Sequence, residues 1–91
     1  MNRDVEIKLE ILRKLNDARA TNYLTPEKML FQQVQSLVKK LELAEFKESL
    51  DTLDGKGLVK GVTSALGGPL RWKITDAGRG ELADLTHQPE A

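Results

Sequence analysis

The sequence predicts a mainly helical α+β domain, with three amphipathic helices, a two-stranded hairpin and a closing helix. Two observations predict it. Apolar residues recur three and four apart over residues 4–20, 26–40 and 43–54, the period of a helix with one buried face. Residues 58–75 then turn to Val, Thr, Trp and Ile around Gly67-Gly68-Pro69, the composition of two strands joined by a turn. A chain of 91 residues has room for one core, and 40 % hydrophobic residues are enough to fill it.

In the first segment Val5, Leu9, Leu12 and Leu15 form the apolar stripe, widened by Ile7, Ile11 and Ala18. Asn2 or Asp4 is placed to cap its first turn, and Thr21-Asn22 is its stop. The breadth of the stripe allows two uses: all of it in the core, or Ile7 and Ile11 on a dimer surface. Tyr23-Leu24 reads as a short extended rung. Thr25 then caps a second helix with Pro26 at its first position, running to residue 38 or 40. Leu30, Val34, Leu37 and Leu41 are its buried side, with Met29, Phe31 and Val38 beside them.

The third helix, over residues 43–54, buries Phe46, Leu50 and Leu53 and is expected to stop at a left-handed Gly55, with Gly57 as a further release. Its expected solvent face carries Glu45, Lys47, Glu48, Ser49, Asp51, Thr52 and Asp54. The strands are expected at residues 58–65 and 70–75, with Leu70, Trp72 and Ile74 on one face, Arg71, Lys73 and Thr75 on the other, and a bulge at Gly61. Thr75 or Asp76 caps the last helix. Gly78 and Gly80 weaken that helix and imply close packing. The domain is expected over residues 1–86, with a frayed tail at 87–91.

The net charge is zero but unevenly spread: residues 41–59 carry −3 and residues 60–79 carry +3. The third helix is the acidic part and the hairpin the basic part, so any attraction to a polyanion must come from a local patch. With no cysteine, a disulfide, a thiolate metal site and a cysteine nucleophile are excluded. The one histidine, His87, stands in the expected tail. The glycine spacings match no phosphate-cradling loop, and the acids at 45, 48 and 51 lack a histidine beside them. Neither an enzyme nor a cofactor is expected. No apolar run approaches the roughly 20 residues that span a bilayer, so a cytoplasmic location without signal peptide or membrane contact is expected.

The words Leu53-Asp54-Gly55-Lys56-Gly57-Leu58-Val59 and Trp72-Lys73-Ile74-Thr75-Asp76-Ala77-Gly78-Arg79 resemble those of bacterial winged-helix regulators. The resemblance covers residues 23–86 in pattern and about fifteen positions in words. It implies a winged helix-turn-helix: three helices, a two-stranded wing and a C-terminal helix. It further implies a dimeric regulator that places its third helix in the major groove of double-stranded DNA and its wing, turning through residues 64–70, on the flanking minor groove or backbone. Carried over by position, groove contacts fall to Glu45, Lys47, Glu48, Ser49 and Thr52 on the third helix, of which Lys47, Ser49 and Thr52 suit DNA, and the basic groups Lys56, Lys60, Arg71, Lys73 and Arg79 around the hairpin are left for phosphates. Glu45, Glu48 and Asp51 depart from that pattern, because carboxylates oppose approach to phosphates. The competing use is a winged helix for protein interaction or dimerisation, with the acidic helix meeting a basic protein partner and no direct DNA contact.

Overall fold

The computed structural model describes residues 2–63 and 66–86. The elements follow in the expected order: α1 (Arg3–Arg19), β1 (Thr25–Pro26), α2 (Glu27–Gln35), α3 (Leu43–Gly55), β2 (Val59–Val62), β3 (Arg71–Ile74) and α4 (Asp76–Thr86). The chain is α+β and mainly helical, with a three-stranded antiparallel sheet in the order β1-β3-β2.

Helix α1 is the central element and packs against α2, α3, α4 and β3. Its stripe is wide because it serves all four. Ile7 and Ile11 are completely buried, so both belong to the core and neither is offered to a dimer contact. Asn2 caps the helix, its side chain accepting from the Asp4 N–H at 2.9 Å. Phe31 and Phe46 meet edge to face at 5.3 Å between ring centres and join α2 to α3.

Helix α2 is shorter than its apolar pattern predicts. It ends at Gln35, where the Ser36 hydroxyl donates back to the Gln33 carbonyl and the Gln35 amide donates to the Leu41 carbonyl. Lys40 then takes a φ of 56°. Val38 and Leu41 still reach the core, but Leu37 is 48 % exposed and Met29 39 %. Thr25 is not the cap. It is buried in β1 opposite Trp72, and Pro26 holds the N-cap position with no side-chain bond. The rung is thus Thr25–Pro26, not Tyr23-Leu24.

The exit of α3 is built on Gly57, not Gly55. Gly57 has a φ of 72°, its N–H donates to the Asp54 carbonyl, and the Leu58 N–H reaches the Leu53 carbonyl at 2.9 Å. That pair of bonds is a Schellman stop, sealed here by two leucines at its ends. The start of α4 locks onto it. The Thr75 hydroxyl donates to the Gly57 carbonyl at 2.6 Å and accepts from the Gly78 N–H at 3.0 Å. Gly78 packs so closely that a Cβ would overlap the Leu58 carbonyl oxygen, whereas a Cβ on Gly80 would meet nothing. Only the first of the two glycines reflects close packing.

Strand β2 pairs with β3 without a bulge: Val59 stands opposite Ile74, Lys60 opposite Lys73, Gly61 opposite Trp72 and Val62 opposite Arg71. Both strands are shorter than predicted. Ser64 and Ala65 of the hairpin tip, and the tail with His87, lie outside the described residues.

Candidate nucleic-acid interface

The β2–β3 register decides how the basic residues combine. Directly opposed residues of an antiparallel pair share a face, so Lys60 and Lys73 stand side by side on the outer surface of the hairpin. Arg71, two residues before Lys73, shares that face, while Trp72 and Ile74 turn inward and are buried. Lys60, Arg71 and Lys73 are exposed, and none has an ion-pair partner among the described residues. Like charges directly opposed across a pair of strands destabilise it. A ligand carrying negative charge removes that repulsion.

Lys60 and Lys73 also line a cleft of about 500 Å³ at the base of the hairpin with Arg19, Asn22, Tyr23 and Asp76, over a floor that includes Leu15 and Ile74. Arg19 was not among the residues that the sequence singled out. As the last-turn cation of α1 it reads locally as a helix-end residue, and only the packing of α1 against β3 carries it to the hairpin.

The third helix presents a different face from the one expected. Ser49 is 5 % exposed and does not lie on the solvent side. The helix is rotated so that Glu45, Glu48, Ser49 and Thr52 line a crevice toward Asp4 and Lys8 of α1. The Thr52 hydroxyl donates to the Glu48 carbonyl at 2.9 Å. Lys47, Asp51 and Asp54 are left outward, with Glu48 exposed at the lip of the crevice. Lys47 is thus the single cation on a strip with three acids. Lys56, at the C-cap, is exposed and borders a groove between α1, α3 and α4. It does not join the hairpin cluster.

Glu45 is also removed from the outward acids by its bonds. The Arg3 guanidinium donates to its two oxygens at 2.9 and 3.0 Å, and the Glu42 N–H donates to it at 3.2 Å. The arginine, first, and the backbone donor, second, lower its pKa to about 2.

The chain shares its fold with a probable transcriptional regulator from Pseudomonas aeruginosa. The match has a TM-score of 0.62 and 24 % identity, and covers 87 % of this chain and 54 % of that one. The chain thus spans about half the length of the regulator. No protein-family model and no curated protein sequence matches the chain. Among the described residues, no helix is long and apolar enough to cross a membrane.

Proposed function

We propose that the chain is a winged-helix transcriptional regulator that binds double-stranded DNA through the outer face of its hairpin and acts as a dimer in the bacterial cytoplasm. The observation that carries the reading is the cross-strand couple Lys60 and Lys73, without an ion-pair partner among the described residues, with Arg71 beside it. The element order and the β1-β3-β2 sheet support a winged helix, with residues 1–86 as the domain. The shared fold with a transcriptional regulator supports the role. Basic side chains on a strand face bind DNA chiefly through phosphates, which position the protein without reading sequence. Lys47 is the one member of the original α3 set offered outward with a positive charge, and Lys56 lies beyond the helix end. With Glu48, Asp51 and Asp54 around Lys47, α3 is poorly matched to the floor of a major groove, so the hairpin is the primary contact. A two-fold dimer doubles that footprint.

The same three acids favour a second use, in which α3 meets a basic protein partner. The double variant Arg71→Glu, Lys73→Glu separates the two. Under the DNA reading it abolishes binding to a labelled duplex while the circular dichroism spectrum is kept. Duplex binding equal to the wild type places the interface elsewhere.

A further inference from the structure

The cleft at the hairpin base has features that a DNA-facing strand surface does not require. It is a half-open cleft of about 500 Å³. Three cations from separate parts of the chain line it: Arg19 from the end of α1, Lys60 from β2 and Lys73 from β3. None of the three has an ion-pair partner among the described residues. Its walls are specific. Asn22 takes a left-handed φ of 56°, and the Tyr23 hydroxyl at the cleft edge donates a weak bond to the Met29 sulfur at 3.6 Å. Among the described residues Asp76 is the one acid in the lining, its side chain 95 % exposed and 4.0 Å from Arg79.

We propose that this cleft binds the phosphate group of a small hydroxylated phosphate monoester. A monoester phosphate carries close to two negative charges at neutral pH and three strong acceptor oxygens, which suits a cleft lined by three cations. Charge-assisted hydrogen bonds from Lys and Arg are the strongest available to such a group. Asp76 disfavours a ligand that is anionic throughout but accepts hydrogen bonds from hydroxyls next to the phosphate, and Asn22 can accept or donate there. Tyr23 and Leu24 offer an apolar wall to the carbon skeleton. The inference goes beyond DNA binding and does not depend on it. Where both hold, the ligand competes with DNA for Lys60 and Lys73.

The test is an amide ¹H–¹⁵N NMR titration of the full chain with ribose 5-phosphate, beside ribose, dimethyl phosphate and a short duplex. Saturable shifts confined to Asn22, Tyr23, Leu24, Lys60, Lys73 and Thr75 are expected with ribose 5-phosphate and not with ribose or the diester. Arg19→Gln should then weaken binding about tenfold or more, the size of a lost charge-assisted bond. Arg13→Gln, which removes an equal charge from an arginine already paired with Glu10, should not. An equal loss in both variants would reduce the effect to net charge and overturn the site. Shifts scattered over other cations, or none, would overturn it as well. Shifts of the same amides with the duplex but not with ribose 5-phosphate would assign the cleft to the DNA backbone instead.

Discussion

Arg3 grips Glu45 across 42 residues of sequence, with its Nε–H and one Nη–H on the two carboxylate oxygens at 2.9 and 3.0 Å. A further N–H of the same guanidinium reaches the Lys40 carbonyl at 3.2 Å. One side chain thus ties the start of α1 to the start of α3 and to the turn before it. It also neutralises an acid that otherwise adds to the negative surface of α3.

That contact makes stability depend on acid in a defined window. The folded pKa of Glu45 is lowered from 4.5 to about 2. A lowered carboxylate pKa contributes stability that is fully present above the unfolded value and is lost as pH falls through the folded one. The contribution is therefore complete above about pH 4.5 and fades toward pH 2. Glu45→Gln should flatten this part of the stability–pH profile, measured by urea unfolding. In Arg3→Ala, NMR titration should find the Glu45 carboxyl shifted back toward its ordinary value.

The two glycines of α4 should respond oppositely to alanine. At Gly78 the added Cβ collides with the Leu58 carbonyl, and overpacking of this kind costs about 1–3 kcal/mol. At Gly80, which meets nothing within 4 Å and sits inside the helix, alanine should stabilise by about 1 kcal/mol. Denaturant midpoints of the two variants check both signs.

Trp72 is 4 % exposed, with its indole N–H donating to a Glu27 oxygen at 3.4 Å. It stands opposite both Thr25 of β1 and Gly61 of β2. Trp72→Ala should cost about 3–5 kcal/mol, a large part of the total for a domain of this size, and should lower the thermal midpoint steeply in a circular dichroism melt. Trp72→Phe keeps most of the buried volume and should lose much less.

Removing the outward acids of α3 tests where that helix lies on DNA. If it flanks the duplex, Glu48→Gln with Asp51→Asn should raise affinity several-fold at low salt by removing like-charge repulsion, and the gain should shrink as salt screens it. Anisotropy titrations of the variant at two salt concentrations read this directly.

Much of the fold is legible locally. The stripe of α1, the core faces of α3 and β3, and the change of composition at residue 58 depend on spacing and side-chain type alone. What was missed depends on partners distant in sequence. Thr25 looks like a helix cap until β3 arrives opposite it. The pattern of α2 continues past Gln35, but the Ser36 and Gln35 side chains bond the backbone and break the helix, exposing Leu37. Ser49 is polar and sits among charges, yet α1 covers it. In the candidate interface, the shared face of Arg71 and Lys73 follows from alternation. The addition of Lys60 needed the strand register, and that of Arg19 needed the tertiary packing of α1.

The most direct measurement is the salt dependence of binding to a labelled duplex of random sequence, followed by fluorescence anisotropy with wild-type protein. Three phosphate contacts, from Lys60, Arg71 and Lys73, give a slope of log K against log salt of about −3 for each protomer bound. Binding at low salt that falls with this slope on the way to physiological salt is the expected result. No binding at low salt would contradict a DNA-binding hairpin and would leave the acidic face of α3 as the surface that serves function.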